Sequence, residues 1–299
     1  MKPRVVWLIL CLIWGSTWLF IKLGLEDLPP FTFAGIRFVI ASAILVAIIK
    51  IRGIKLPRAR RDWILLVITG VLSFSLNYGA VFWGEERISS GLAAVLQATI
   101  PVFGLVIAHF YLPAERMTPL KILGVIMGVG GVAVIFSDQL TVAGGRALAG
   151  SAAVVIGAAC AAYANVLVKA RGGNMDPAVL AGGQMIFGLV PLLAAGFFLE
   201  RGAFHFRWTT LAIVCLVYLA IVGSVVAFLL YYWLVQHMDV TNTMLIALVT
   251  PVIAVIVGMV FLNEELNWRL LVGGLMIMFG IAMIVIRKRK KAKVQLVSA

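Results

Sequence analysis

Apolar residues along the chain fall into ten blocks, each separated from the next by a short polar or charged stretch. Each block has about 18–25 residues, the length at which an α-helix crosses a hydrocarbon core roughly 30 Å thick. The pattern therefore predicts an all-α integral membrane protein with ten transmembrane helices. The predicted spans are residues 5–25, 31–50, 62–83, 91–110, 118–137, 149–170, 177–199, 208–233, 240–262 and 269–287.

The composition agrees with a membrane protein, because 63% of the 299 residues are hydrophobic, only 12% are charged and the mean hydropathy is +1.10. A soluble chain of this length needs far more polar surface. The net charge of +13 is high enough to suggest nucleic acid, but the basic residues lie between the apolar blocks and in the tail RKRKKAK, residues 287–293. That distribution indicates contact with lipid headgroups, so we expect the bilayer as a partner and no nucleic acid.

Loop charges predict the orientation of the chain. With ten spans both termini lie on one side, and cytoplasmic termini place eighteen lysines and arginines on the cytoplasmic face against six on the other. The positive-inside rule therefore predicts cytoplasmic termini, and the expected location is a bacterial cytoplasmic (inner) membrane. The sequence does not fix the oligomeric state, and a monomer is one option.

The second half of the chain repeats features of the first. The matches pair Lys22 with Lys169 and Pro30 with Pro177 at an offset of 147 residues, and Pro101 with Pro251 and Glu115 with Glu265 at an offset of 150. We expect five-helix units at residues 1–138 and 149–290, followed by a basic cytoplasmic tail at 291–299. Because five is odd, the second unit crosses the membrane in the opposite sense, which is the architecture of many secondary transporters.

The stretch WGSTWLFIKLGLEDLPPFTFAGIRF, residues 14–38, resembles the opening of the EamA family in the drug/metabolite transporter superfamily. Each half also ends as that family does, with a proline-containing helix, an acidic residue and a glycine-rich helix, at residues 91–135 and 240–285. One difference is that the family's usual glycine before the glutamate is Ala114 in the first half and Glu264 in the second. The resemblance covers nearly the whole chain. It implies ten helices in two inverted five-helix repeats and export of small metabolites such as amino acids.

Two tryptophans lie on one face of the first span. Cys11, Trp14, Trp18 and Lys22 follow one another at helical spacings of three, four and four residues. We interpret Trp14 and Trp18 as an aromatic wall of a solute cavity, with lipid-facing or packing roles as the alternatives. The matching stripe of the sixth span, from Ala158 to Lys169, is smaller and more polar.

Polar side chains inside spans are costly, and they are therefore candidates for lining a cavity. These candidates are Asn77, Tyr78, Gln97, Thr99, Tyr163, Asn165, Thr243 and Thr250. The alternative for each of them is a hydrogen bond between helices, which is common in membrane proteins.

Two prolines interrupt apolar blocks at matching places. Pro101 lies in QATIPVFGLV, residues 97–106, and Pro251 lies in ALVTPVIAVI, residues 247–256. Proline removes a helical hydrogen bond, so each is predicted to kink its span and to free the carbonyl four residues earlier. A symmetric pair of kinks could flex as a gate beside a solute path, or could be purely structural. The glycine-rich stretches at 124–131 and 273–280 predict close helix packing.

Three cations lie in or near the ends of spans. Arg37 is about 9 Å into the second span, where it could hold a carboxylate, extend its guanidinium to the nearer surface or bond helix-end carbonyls. Gln184 occupies the equivalent place in the seventh span, which favours a structural pairing role. Lys22 and Lys169 lie at helix ends, where the same surface extension competes with an ion-pair role. Because no span has Asp or Glu near its middle, facilitated export or exchange is favoured over strong ion coupling.

The sequence carries no pattern for catalysis or metal binding. The three histidines are scattered, the three cysteines share no short spacing, and HExxH, GxSxG and phosphate-loop motifs are absent. We therefore expect no enzyme, no metal and no cofactor. The leading hypothesis is a secondary transporter that exports small metabolites through a central cavity by alternating access. A channel, a lipid or lipid-precursor flippase and an uptake permease remain the alternatives.

Overall fold

The computed structural model describes residues 2–111, 118–138, 144–172, 175–200, 207–237 and 246–297. Side chains are described within these ranges except at 138, 144, 232, 235–236 and 284–297. All regular structure in these residues is helical.

The helices follow one another along the chain with short connections. They are α1 (Pro3–Gly24), α2 (Pro30–Ile51), α3 (Arg60–Glu85), α4 (Ser90–Tyr111), α5 (Pro119–Asp138), α6 (Gly144–Arg171), α7 (Pro177–Leu199), α8 (Thr210–Val217, Tyr218–Val226 and Ala227–His237 in succession), α9 (Ile246–Leu262) and α10 (Trp268–Val297). In the described residues, α1 to α8 are long and apolar enough to cross a membrane, while α9 and the Trp268–Met283 part of α10 are shorter apolar helices. The predicted all-helical fold is confirmed at this level.

Several helices begin where the sequence supplies a start signal. Proline is the first residue of α1, α2, α5 and α7, where its missing N–H costs no helical hydrogen bond. Ser89 and Thr209 cap α4 and α8 by accepting the backbone N–H groups of Leu92 and Ala212. The predicted ninth span begins at residue 240, in a part of the chain that the structure does not describe.

Two helices contain a π-helical segment at equivalent positions. In α3 the segment is Val71–Asn77, and in α8 it is Tyr218–Val226. Their first residues are 147 positions apart, which is the offset at which the two halves of the sequence match. π-Segments in helices commonly mark functional positions, because they displace carbonyl groups from the regular hydrogen-bonding pattern.

Helix packing in one half has a counterpart in the other. α1 packs along α9 and α8, and the equivalent α6 packs along α4 and α3. α2 contacts α8, and the equivalent α7 contacts α3. Further large contacts join equivalent helices to each other: α2 with α7, α5 with α10 and α4 with α9. The predicted repeat is therefore accompanied by matching helix neighbours.

α5 and α10 meet through glycine. A Cβ atom at Gly273 would lie 2.6 Å from the carbonyl oxygen of Gly131, and one at Gly280 would lie 2.5 Å from that of Gly124. No larger residue fits such a contact without movement of the backbone. This agrees with the predicted packing role of the glycine-rich stretches. Ile126 and Val129 on α5 are exposed, as expected for side chains that face lipid.

Candidate functional site

α4 is interrupted in its middle. The helical segments Ser90–Gln97 and Ile100–Tyr111 are separated by Ala98 and Thr99. The Thr99 backbone N–H and hydroxyl both donate to the carbonyl oxygen of Leu96, at 3.1 and 2.6 Å. Pro101 is the second residue of the following segment, where a missing N–H is tolerated. The break in α4 thus lies directly after Gln97, the residue four positions before Pro101.

α9 differs from α4 at the equivalent place. The helix Ile246–Leu262 continues through Pro251, which lies inside it. α9 therefore accommodates the missing hydrogen bond of Pro251 within a continuous helix, and the symmetric pair of kinks stays a prediction. A gating role for Pro101 and Pro251 stays a prediction.

The break in α4 places two predicted side chains in contact. Gln97 Nε2 donates to Asn77 Oδ1 at 2.6 Å, and Asn77 is the last residue of the π-segment of α3. Counted along their helices, both residues lie about 10–12 Å from the end that carries Glu85 and Ser90. Gly157 of α6 faces them, since a Cβ there would lie 3.1 Å from Asn77 Oδ1. Gln97 Oε1 is buried and has no hydrogen-bond partner within the described part of the chain. The pair therefore offers a free acceptor between helices of both halves.

The tryptophans of α1 have different surroundings. Trp14 packs against α8, with ring centroids 6.1 Å from Phe228 and 5.3 Å from Tyr231. This contact favours the packing alternative for Trp14. Trp18 is half-buried and contacts two separate hydrophobic clusters, one that includes Phe82 and one that includes Leu96. Trp18 therefore lies between a cluster that includes α3 and a cluster that includes α4. This position agrees better than that of Trp14 with the predicted role in a cavity wall.

A polar contact between α1 and the π-segment of α8 was not predicted from the sequence. The hydroxyl groups of Ser16 and Tyr218 lie 2.7 Å apart, and the Tyr218 ring stacks on Phe20 at 3.9 Å. Tyr218 is a polar residue inside an apolar span, which is the signal that could have identified it.

Arg37 is held inside the protein. It is 2% exposed, donates from Nε to Ser224 Oγ at 3.0 Å, and donates from Nη2 to the Gly223 carbonyl at 3.4 Å. Its guanidinium lies 5.2 Å from the ring centroids of Phe38 and Tyr78. The surface extension considered for Arg37 is therefore wrong. Tyr78, a predicted cavity residue, contributes to this buried cation site.

The residue equivalent to Arg37 also joins two helices. Gln184 of α7 donates to Thr69 Oγ1 of α3 at 2.9 Å. Arg37 of α2 thus binds α8, and Gln184 of α7 binds α3, which is the helix equivalent to α8. The predicted structural pairing role is consistent with these bonds.

The remaining predicted site residues lie apart from the Gln97 pair. Tyr163 of α6 meets Tyr111 of α4, with hydroxyl groups 2.7 Å apart. Asn165 and Lys169 are exposed, although Ala158 on the same stripe is buried. Thr250 is half-buried on α9, and Thr243 lies outside the described residues. The structure therefore does not bring all predicted residues into one cluster.

Lys22 does not extend to the surface. Its Nζ donates to the backbone carbonyl oxygens of Glu85, at 2.6 Å, and Ile88, at 2.7 Å. A lysine at these carbonyls satisfies the end of α3 and interacts favourably with the helix dipole.

Two glutamates from the second half cap helices of the first half. The Glu264 carboxylate accepts the N–H groups of Ser90 and Gly91, at 2.6 and 3.0 Å. Glu200 does the same at the start of α2, where it accepts the N–H groups of Phe31 and Thr32 at 2.6 and 3.0 Å. Carboxylates are favoured at helix N-termini. Sequence reasoning missed these contacts because each joins residues more than 160 positions apart in the chain.

A cavity of about 810 Å³ opens at the same end of the molecule. It lies between the α1–α2, α3–α4 and α7–α8 connections. Its charged lining consists of Glu26, Asp27, Glu86, Arg87, Glu200 and Arg207. Among the described residues, no group of three His, Cys, Asp or Glu side chains is placed to hold a metal ion.

These features define a polytopic, all-helical membrane protein with buried polar sites between its helices. A family model described as "EamA-like transporter family" matches residues 3–137 and 148–286, so the chain belongs to that family of membrane transporters. The resemblance noted in the sequence is thereby confirmed.

Individual relatives agree with this assignment. The chain is 29% identical to "Uncharacterized transporter YoaV" of Bacillus subtilis, over 91% of this chain and 92% of the relative. It is 30% identical to "Uncharacterized inner membrane transporter YedA" of Escherichia coli K12, over 86% and 82%. It is 28% identical to "Probable terminal-alkyne amino-acid exporter" of Streptantibioticus cattleyicolor, over 94% and 93%. A solved crystal structure shares the fold, with a TM-score of 0.67 and 19% identity over 97% of this chain and 98% of that chain.

Proposed function

We propose that this chain is a secondary transporter that exports small metabolites such as amino acids by alternating access around a central polar site. The observation that carries the proposal is the Gln97 side chain, whose Oε1 atom is buried at the break of α4 and lacks a partner in the described structure. A solute that donates a hydrogen bond, such as the ammonium group of an amino acid, would satisfy this acceptor. No catalytic activity and no cofactor are part of the proposal.

The proposed architecture has ten transmembrane helices in two inverted five-helix repeats. The family match on two successive segments, the equivalent π-segments and the matching helix neighbours all support it. Inverted repeats place a solute site between halves that move against each other. Asn77 and Gln97 on one half and Gly157 on the other are the proposed residues of this site.

The proposed location is the cytoplasmic (inner) membrane with both termini in the cytoplasm. The distribution of lysine and arginine between the loops supports this orientation, and the inner-membrane location given in the name of the Escherichia coli relative supports the compartment. In this orientation the Lys22–Glu85 end faces outward. The exposed Asn165 and Lys169 then lie at the cytoplasmic end.

Amino acids are the proposed solute class. The name of one relative, the probable terminal-alkyne amino-acid exporter, supports this class at 28% identity. The site supports it through an acceptor for the ammonium group at Gln97 and the apolar and aromatic surface of Trp18 nearby on α1. Such a site suits a solute with one polar and one apolar part.

The direct test is transport by the purified protein in liposomes. We expect saturable uptake of ¹⁴C-labelled L-amino acids, and faster uptake when unlabelled amino acids are trapped inside, because exchange avoids the return of an empty carrier. Liposomes without protein serve as the control. Uptake that does not saturate contradicts a carrier, and movement of a fluorescent lipid between leaflets without amino-acid uptake indicates a flippase.

The direction of transport needs a separate measurement in cells. Expression of an exporter should lower the cellular content of an amino acid that is supplied as a dipeptide, relative to cells with an empty vector. A higher content of the amino acid would indicate an uptake permease instead.

A further inference from the structure

The proposed solute site does not use the charged groups at the Lys22–Glu85 end. Glu85 is the last residue of α3 and is 0% exposed. In the structure as described, neither of its carboxylate oxygens has a hydrogen-bond partner. An ionised carboxylate is costly to bury in this way, so such a group either binds a proton or requires a donor.

No described group donates a hydrogen bond to the Glu85 carboxylate, although Arg37 Nη1 and Ser90 Oγ also lack partners. Lys22 Nζ donates to two backbone carbonyls, those of Glu85 and Ile88, and not to the Glu85 carboxylate. The N–H groups of Ser90 and Gly91 at the start of α4 donate to Glu264. The neutral, protonated form of Glu85 therefore fits the arrangement.

The charged neighbours of Glu85 come from three parts of the fold. Lys22 on α1, Arg37 on α2 and Glu264 after α9 interact electrostatically with its carboxylate. α6 contacts the adjacent Gly84 through Gly150 and Val154, neither of which has a titratable side chain. Two cations favour the ionised carboxylate, while burial and the second acid oppose it. A carboxyl group in such surroundings can exchange a proton.

Two features favour a proton over a metal cation as the ligand. First, Lys22 Nζ occupies the carbonyl oxygens of Glu85 and Ile88, which a sodium ion would otherwise use. Second, among the described residues no group of three His, Cys, Asp or Glu side chains is placed to hold a metal ion. A proton needs neither space nor additional ligands.

We propose that Glu85 is a proton-binding site that couples solute export to proton movement in the opposite direction. This inference rests on the proposed transport function and adds the coupling ion to it. The proton binds one carboxylate oxygen of Glu85 when the site is open to the outside, and it leaves to cytoplasmic water when the site is open to the inside.

The structure contains a route from this proton to helix movement. Loss of the proton creates a carboxylate, which is a stronger acceptor for Lys22 Nζ than a neutral carbonyl oxygen. Lys22 would then release the carbonyls of Glu85 and Ile88. These are hydrogen bonds between α1 and the α3–α4 connection, so the packing of α1 against that connection would change. Glu264 attaches the second half to α4 at the same end. A change of partners there can therefore alter how the two halves meet.

Proton binding can be measured without any solute. We expect an infrared pH titration of the protein in lipid to show the C=O stretching band of a protonated, buried carboxyl group. The band should be present in the wild type and in Glu265→Gln, an exposed carboxylate at the same end, and absent in Glu85→Gln. Spectra that are the same for the wild type and Glu85→Gln at every pH would overturn the proton site.

Coupling is measured in proteoliposomes with the membrane potential clamped by valinomycin and equal potassium. Acid-inside vesicles should accumulate ¹⁴C-labelled L-amino acids, by up to about tenfold per pH unit for one-to-one exchange with a neutral solute. Glu85→Gln should lose this accumulation but retain amino-acid exchange at equal pH. Glu265→Gln should behave as the wild type.

The outcomes separate this inference from the proposed function. Saturable uptake in the wild type that ignores the pH gradient, or follows a sodium gradient instead, overturns proton coupling and leaves the transport function intact. No amino-acid uptake under any condition counts against the proposed function, and the infrared titration then decides the proton site alone. If Glu85→Gln does not fold, the response of the wild type to the pH gradient still decides the coupling.

Discussion

Gln97 and Gln184 are both glutamines inside membrane-type helices, yet their surroundings differ. The Gln184 amide bonds Thr69 and joins α7 to α3. The Gln97 amide bonds Asn77 through its nitrogen only, and its oxygen has no partner in the parts of the chain that are described. The first arrangement serves packing, and the second leaves an acceptor for a solute.

This difference predicts different effects of the same substitution on transport. Gln97→Leu should raise KM for amino acids about tenfold, which corresponds to the loss of one hydrogen bond of about 1.4 kcal/mol, and should also lower thermal stability because Asn77 Oδ1 loses its donor. Gln184→Leu should lower the unfolding temperature in detergent and leave KM unchanged. Transport kinetics in proteoliposomes and a thermal unfolding assay check both variants. A reversed pattern would place the solute site elsewhere.

Single residues also show what the sequence can reveal about the site. Polarity inside an apolar span marks Asn77 and Gln97 as candidates, because burial of an amide demands a partner, and the structure shows the two side chains in contact. Polarity alone did not predict the contacts of Arg37, because its partners Ser224 and Gly223 come from a helix that is distant in the sequence. The sequence places no Asp or Glu near the middle of a span, and Glu85 is the last residue of α3. Its burial depends on α1, α4 and α6, which no local pattern encodes.

Among the helices, α4 and α9 contain equivalent prolines in different settings. Pro101 is the second residue of a helical segment, where a missing N–H has little cost, whereas Pro251 lies inside a continuous helix. Pro251→Ala should therefore raise the unfolding temperature, since an interior proline costs about 3 kcal/mol, and Pro101→Ala should change it little. If α9 flexes at Pro251 during transport, the same variant should also lower kcat. Equal temperature shifts for both variants would contradict the difference between the helices.

The α5–α10 contact makes a second prediction about whole helices. A Cβ atom at Gly273 would lie 2.6 Å from the Gly131 carbonyl oxygen, whereas one at Gly104 on α4 meets no described atom within 4 Å. Gly273→Ala should destabilise the protein by about 1–3 kcal/mol, the usual cost of overpacking. Gly104→Ala is the matched control and should be neutral or stabilising. Thermal unfolding in one detergent compares the pair, and equal stability of the two variants would argue against close packing at Gly273.

At the scale of elements, the sequence predicted the presence of the helices better than their internal geometry. Apolar blocks bounded by charge and proline located them, because a lipid-facing helix needs an apolar surface over its whole length. The π-segments Val71–Asn77 and Tyr218–Val226 left no such signal. Both segments contact helices of the other half, Val71–Asn77 with α6 and α7 and Tyr218–Val226 with α1 and α2, and composition does not show such tertiary contacts.

For the whole molecule, the duplication visible in the sequence extends to the packing. Matches at offsets of 147 and 150 residues are accompanied by equivalent helix neighbours and by π-segments 147 residues apart. The two halves differ at polar positions such as the pair Arg37 and Gln184. A site built from two related but unequal halves can bind a solute that has no symmetry of its own.

The inverted arrangement of the two halves is tested by labelling with a membrane-impermeant maleimide. Cysteine replaces one exposed loop residue at a time: Arg52, Glu86, Arg171 or Glu265. In intact spheroplasts Glu86→Cys and Glu265→Cys should react, while Arg52→Cys and Arg171→Cys should react only after lysis. The wild type is the control, because Cys11 and Cys215 are buried and Cys160 lies within α6. Labelling of Arg52→Cys and Glu265→Cys from the same side would be incompatible with ten spans and cytoplasmic termini, because an odd number of crossings must separate these two loops.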